Sequence, residues 1–460
     1  MHTESNSRAG RIYLNRSYAV VRRKYPALSF ALLCLALVVG GSGFQPAVAQ
    51  ETIELRVWDQ FTDPVDTEAV DAIYAAFTEQ NPNIEIVREV FSTDQMRQTV
   101  NTAIASGTGP DIINYDPGPG YAGVLADAGL LVPLDDMADQ YGWRDRIAPA
   151  ALEATSLDGT LYGLPLTTDL VGVFYNQTLM EQEGFTAPTT FAELVTFCGQ
   201  ASEAGYIPMA FTNNPGWEAF HQFSMVTTNM IGPEAMRALL QDNQGSWDSP
   251  EITQAIDAYF VQLRDAGCFS DDVNALTYDD ATALFQSGQS LMFPTGSWQV
   301  GTFTPDTMPD MDVRMMAFPE LEGGQGSYWV SGVGSAYYIS SASEQQEAAG
   351  QFLDYLYSPE VAQQWVQEAQ FFLPMSVDTA GMELTPLFTS VLEQFAAAAN
   401  GEIQFGYNID VIAPAEFNDA MLNGFQLILA GDKTPEEQVA DLQAAWDASY
   451  EATPEATPAS

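Results

Sequence analysis

Residues 53–60, Ile-Glu-Leu-Arg-Val-Trp-Asp-Gln, open the segment that decides the fold. Ile53, Leu55 and Val57 alternate with Glu54 and Arg56, the period of two of a half-buried strand, which Trp58 ends. Val70, Ile73, Tyr74 and Phe77 follow three and four apart, which predicts a helix running to Asn81-Pro82. Ile84, Ile86 and Val90 share one face of a second strand. Ser92, with Gln95 three positions on, forms the capping box of a second helix. Met96, Val100, Ala103 and Ile104 are its buried stripe, and Gly107 supplies the left-handed residue that ends it. Asp111 to Tyr115 is a third strand. The order βαβαβ predicts an α/β fold built on a mostly parallel sheet covered by helices. Open sheets of that kind bind ligands beyond the carboxyl ends of their strands. Those ends carry Trp58-Asp59-Gln60, Phe91-Ser92 and Tyr115-Asp116.

Upstream, Arg8, Arg11, Arg16, Arg22, Arg23 and Lys24 precede an uncharged run from Ala27 to Val39, and Ala47-Val48-Ala49 precedes Gln50. Basic, apolar and small-residue segments in that order predict a cleaved signal peptide over residues 1–49. The apolar run is short of the roughly 20 residues that span a bilayer. Cys34 follows the bulky Leu33, which argues against lipid attachment there. Export favours a disulfide between the two remaining cysteines, Cys198 and Cys268, the alternative being two buried thiols. The whole chain has 15 Lys and Arg against 61 Asp and Glu, and the leader holds six of the former and one of the latter. The mature chain is left with nine against sixty, a formal charge of −51. Such a surface repels nucleic acid and anionic lipid, so neither is expected as a partner.

Downstream of Tyr162-Gly163-Leu164-Pro165 the pattern changes to longer amphipathic helices at Phe191 to Ala204, Glu251 to Asp265, Asp279 to Ser287 and Gln346 to Leu356. Strand-like returns occur at Val313 to Phe318 and Gly334 to Ile339. At 460 residues two lobes are expected, each assembled from discontinuous segments. Residues 451–460 repeat Ala-Thr-Pro and are expected to be disordered.

Catalytic signatures are sparse. His2 and His221 are the sole histidines, so no multi-histidine metal site is expected. Neither a Gly-x-Ser-x-Gly elbow nor a phosphate-binding Gly-Lys-Ser/Thr occurs. Gly118-Pro119-Gly120-Tyr121-Ala122-Gly123 has the dinucleotide spacing but follows the third strand, and reads as a tight loop lining a crevice. The pairs Asp135-Asp136, Asp271-Asp272 and Asp279-Asp280 read as caps and solvated turns, since sixty acids produce adjacent pairs by chance. The tryptophans are more informative. A sugar offers apolar C–H faces and hydroxyl edges, so its site needs aromatic platforms beside short polar groups. Trp58, Trp217, Trp298 and Trp329 all lie near Gly, Pro or Ser in loop-like segments.

Four segments resemble the extracellular solute-binding proteins of family 1 in ATP-dependent importers, a group that includes maltose-binding proteins. They are residues 105–112, Ala-Ser-Gly-Thr-Gly-Pro-Asp-Ile; Tyr162 to Pro165 with Phe174-Tyr175-Asn176; Phe285 to Met292 with Gly296-Ser297-Trp298; and Ala348 to Leu356 with Ser358-Pro359-Glu360. The resemblance implies the type II periplasmic-binding-protein fold, two α/β lobes hinged around a cleft. It implies a first lobe from residues 50–165 and 318–357 and a second from residues 166–317 and 358–450. The hinge crossings fall near Leu164 to Thr168, Ala317 to Glu320 and Tyr357 to Val361. Implied ligand contacts are Trp58, Gln60, Tyr115 and Asp116 on one lobe. On the other side they are Asp169, Trp217, His221, Trp298 and Phe372; Ser331-Gly332 matches a Gly-rich turn that brings backbone donors to the ligand, and Trp329 joins the candidates by its loop-like setting. The expectation is a monomeric, extracytoplasmic, non-enzymatic receptor that takes a neutral mono- or oligosaccharide to the permease subunits of an ABC importer, without cofactor or metal. The alternatives are a polyamine, peptide or glycerol-phosphate ligand on the same scaffold, or a secreted glycosidase. The near absence of basic residues departs from many relatives and counts against a phosphorylated ligand.

Overall fold

The structure, a computed structural model, describes residues 52–451. The signal peptide expected over residues 1–49 and residues 452–460 of the expected tail lie outside them; Glu451 closes the last helix.

The opening segment forms as its periodicity requires. Strand β1 is Ile53–Asp59, helix α1 Pro64–Gln80, β2 Ile84–Val90, α2 Thr93–Ala105 and β3 Ile112–Tyr115. The reciprocal Ser92–Gln95 capping box is present, and Gly107 takes φ +70°. Leu55 and Val57 meet Val70, Ile73 and Phe77 in one core. Further along come β4 (Gly163–Pro165), β5 (Thr168–Asn176), α3 (Phe191–Glu203), β6 (Ile207–Met209) and α4 (Glu218–Ile231). They are followed by α5 (Tyr278–Gln286), β7 (Ser290–Gly296), β8 (Val313–Met316), β9 (Val330–Val333) and β10 (Ala336–Ile339). The remainder includes α6 (Gln346–Leu356), α7 (Pro359–Glu368), β11 (Gly406–Tyr407) and α8 (Ala415–Ala430).

Two sheets result, β2-β1-β3-β10-β4 and β11-β9-β5-β7-β6, with β8 also paired to β5. Both are mixed, and the mixing has a simple rule. In the first sheet β10 is antiparallel to its neighbours β3 and β4, while β1, β2 and β3 are mutually parallel. In the second, β5 is antiparallel to β7, β8 and β9, while β6 follows β7 and β11 follows β9. β10 and β5 are the strands by which the chain enters each sheet from the other one. They start at the junction and run away from it, whereas the remaining strands run towards it and present their carboxyl ends there.

The chain crosses between sheets at Leu166-Thr167, within the span expected for the first crossing. The second crossing departs from expectation. β9 pairs in the second sheet and β10 in the first, so the passage is at Gly334-Ser335 rather than Ala317 to Glu320. The two strands are separated by two residues without a reversing turn, so their alternation runs on and hides the change of sheet. The third also moves, because Trp365 of α7 belongs to the first core and stacks on Phe371, while Phe372 stacks on Phe388 in another cluster. The passage is at Phe371-Phe372, not Tyr357 to Val361. Residues 318–333 therefore go with the second lobe and 359–368 with the first. The three crossings are bonded side by side: Leu166 N–H donates to Ser335 O at 2.8 Å, Gly334 N–H to Thr167 O at 3.0 Å, and Thr168 N–H to Phe372 O at 2.7 Å. Cys198 of α3 and Cys268 form a disulfide within the second lobe.

Candidate functional site

The carboxyl ends converge on a cleft of about 350 Å³ between the lobes. The first lobe contributes Gln60 after β1, Asp63 and Asp66 at the start of α1, Asp94 and Arg97 of α2, and Asn114 and Asp116 at the end of β3. From the second come Asp169, Trp217, His221, Tyr278, Trp298, Gln299 and Asp410. A larger groove, about 1250 Å³, shares Gly332, Val333, Phe371, Phe372 and Val411 with this cleft and is otherwise walled mainly by residues from 118–126, 144–157, 373–379 and 388–412. The polar strand ends face the smaller space, which is the candidate site.

One wall is aromatic. Trp298 follows β7 and its Nε1–H donates to Tyr278 Oη at 2.7 Å. Tyr278 Oη also bonds Thr295 Oγ1 at 2.8 Å, so the indole is anchored through a short chain of hydrogen bonds. Gly296 makes this possible, because a Cβ there would lie 1.9 Å from the indole Cζ3. Trp217 packs 4.8 Å from Tyr278, and His221 lies 5.1 Å from Trp298, centroid to centroid. Burial, aided by Arg97, pushes the His221 imidazolium down to about 3, so the ring is neutral.

The facing wall is polar. Arg97 Nε–H donates to Asp116 at 2.9 Å, its guanidinium lies 4.4 Å above the Tyr121 ring, and it approaches Asp410 of the other lobe at 3.9 Å. Burial opposes charge on Arg97, but the neighbouring carboxylates outweigh it and raise its pKa. Tyr121 O–H donates to Asp410 at 3.1 Å, and Gln299 Nε2–H to Asp63 at 3.3 Å. These bonds run between the lobes and tie them together.

Asp169 sits beside the hinge. It accepts hydrogen bonds from Thr167 at 2.9 Å and Ser297 at 2.8 Å, and burial pushes its carboxyl up to about 6. An acid whose pKa is higher folded than unfolded holds its proton more tightly when folded. Its contribution to stability is full below the ordinary 3.8 and is lost as pH climbs through about 6. Asp169→Asn removes this titration. Wild type should therefore gain about 2 kcal/mol on the variant between pH 7 and pH 4, read from denaturant melts. A constant difference would contradict the assignment.

Of the sequence-derived contacts, Gln60, Asp116, Asp169, Trp217, His221, Trp298, Gly332 and Phe372 come together at this cleft. Four do not. Trp58 lies inside β1, so its ring points to a sheet face and packs 4.6 Å from Phe91. Tyr115 is 2% exposed in the same cluster. Trp329 covers Gly172, where a Cβ would lie 2.5 Å from its indole, and Ser331 faces the larger groove. Tyr278, Arg97, Asn114 and Asp410 escaped the sequence reading. Arg97 carried a usable signal, being one of nine basic residues after position 49; Asp410 sits in an irregular segment without one.

Comparison with known proteins follows the same lines. A multiple sugar-binding protein of Streptococcus mutans is 24% identical over 293 residues, covering 63% of this chain and 68% of that one. A solved structure described under xylan utilization by Caldanaerobius polysaccharolyticus superposes with a TM-score of 0.77 at 24% identity, over 85% of this chain and 99% of that one. A chitin oligosaccharide binding protein gives 0.75 at 21% identity, over 87% and 100%. The first and third of these are named as binding proteins. With residues 62–363 matching the family model for bacterial extracellular solute-binding proteins, the chain belongs to that family.

Proposed function

We propose that this protein is an extracytoplasmic receptor that captures a carbohydrate between its lobes and delivers it to the permease subunits of an ABC importer, acting as a monomer. The observation that carries the reading is the pairing of walls. Trp298 and Tyr278 offer ring faces for the C–H side of a sugar, while Gln60, Asn114 and the aspartates opposite offer acceptors for its hydroxyls. Each such hydrogen bond adds about 0.5–1.5 kcal/mol net, so affinity comes from several acting together once the lobes close. The relatives named for binding sugar and chitin oligosaccharide, and the structure described under xylan utilization, support the ligand class. The basic, apolar and small-residue leader supports export. Among the described residues no helix is long and apolar enough to cross a membrane.

A thermal-shift screen of the mature chain against sugars, amino acids, polyamines and glycerol phosphate tests the reading. A rise in melting temperature confined to carbohydrates is expected. A rise with amino acids or glycerol phosphate alone would reject it, and hydrolysis of a chromogenic glycoside would favour the glycosidase alternative.

A further inference from the structure

The acids of the cleft differ from those of the surface. A solvated aspartate on a highly acidic protein says little, but one buried against a cleft needs a partner. Seven aspartates line this space, residues 63, 66, 94, 116, 169, 279 and 410, against one Lys or Arg, Arg97, already engaged by Asp116 and Asp410. Asp66 is 7% exposed, opens onto the cleft, and its Oδ1 accepts no hydrogen bond. Gln60 Oε1, Asn114 Oδ1, Gln299 Oε1 and Asp410 Oδ1 are buried along the same lining and equally unpartnered. All five atoms are acceptors.

A neutral hydroxyl both donates and accepts, whereas an ammonium group donates three times and accepts nothing. A lining whose buried, unpartnered atoms are all acceptors therefore suits an ammonium better than an added hydroxyl. Resting on the carbohydrate reading above, we propose that Asp63 and Asp66, with Asp279 facing them from the other lobe, form a subsite for the protonated amine of an amino sugar. Asp63 and Asp66 stand one turn apart at the start of α1, and Asp279 opens α5. Burial raises the pKa of Asp63 and Asp66, and their like-charged neighbours, Asp279 for the first and Asp63 and Asp169 for the second, raise it further. A bound cation reverses that repulsion and draws the two lobes together at the cleft mouth. A metal ion fits less well, since no group of three or more acidic, His or Cys residues among those described is arranged to hold one. The cleft volume lies within the roughly 300–1,000 Å³ usual for small-ligand pockets, and its aromatic wall serves sugar and ammonium alike.

Calorimetry of the mature chain at neutral pH tests this with three dimers of one geometry: β-1,4-linked glucosamine, its N-acetylated form, and cellobiose. The free-amine dimer is expected to bind about tenfold more tightly than the other two, as one charge-assisted contact allows. Asp66→Asn should cut the preference for the free-amine dimer over cellobiose about tenfold, whatever it does to both in common, and an unchanged ratio would overturn the assignment. Asp63→Asn, at a half-buried position, carries the same test should the first variant fold poorly. Equal or tighter binding of cellobiose or the N-acetylated dimer overturns the amine subsite and leaves the carbohydrate reading standing. No heat from any dimer, with binding of spermidine, overturns the carbohydrate reading instead.

Discussion

Trp298→Ala should lower carbohydrate affinity about hundredfold while leaving the melting temperature of the unliganded chain nearly unchanged. The asymmetry follows from where the ring sits. Trp298 is half-buried just after β7, 5.1 Å from His221 and on the cleft lining, so the fold does not depend on it as on the fully buried Trp365 or Trp247. A stacked sugar loses both the apolar surface and the platform that fixes its orientation. Gly296→Ala offers a second route to the same end, since its Cβ would collide with the indole at 1.9 Å and displace it without deleting it. Affinity retained in both variants, measured by calorimetry, would remove Trp298 from the site.

A comparable loss, about hundredfold, is expected from Gly118→Ala, which touches no ligand. The loop Gly118–Gly123 lies against the other lobe so closely that a Cβ on Gly118 would stand 2.0 Å from Val411 O. Val411 offers backbone there, which cannot swing aside, so the lobes must part. Gly118 also has φ +94°, which adds a local cost of about 1–2 kcal/mol for any other residue. Gly107→Ala separates the two effects. Gly107 has φ +70° with nothing within 4 Å of the added Cβ, so it bears the strain without the collision. Gly118→Ala should lose affinity and scatter as an open molecule with ligand present, whereas Gly107→Ala should lose only stability. Equal behaviour of the two would show that the lobe contact is unimportant.

The same glycine loop illustrates what was legible in the sequence. Its spacing predicts a tight turn on a crevice, which it is, but the reason for Gly118 and Gly120 lies in Val411 and Asn418, almost 300 residues away, and only Gly123 answers to its own loop, where a Cβ would lie 2.9 Å from Gly118 O. Local rules worked where the cause was local, as in the strand period of β1, the Ser92 cap and the start and end of α6. They failed on segments buried from all sides. α4 has every residue buried except Ile231, so it shows no polar face, and β5, the central strand of the second sheet, is a nearly continuous buried run. The cleft was half legible for a related reason. Aromatics near glycine flagged Trp298 and Trp217, yet the same pattern marked Trp58 and Trp329, whose burial is decided by which sheet face they meet. The pairing of Arg97 with Asp410 depends on two lobes meeting, and no spacing along the chain encodes it.

Closure over a carbohydrate is the step on which this account turns, and small-angle scattering of the mature chain with and without a saturating sugar reads it most directly. The radius of gyration should be larger without ligand and contract, on adding the sugar, to the value calculated from this structure. Superimposable profiles with every carbohydrate tested, at concentrations where calorimetry is also flat, would contradict it.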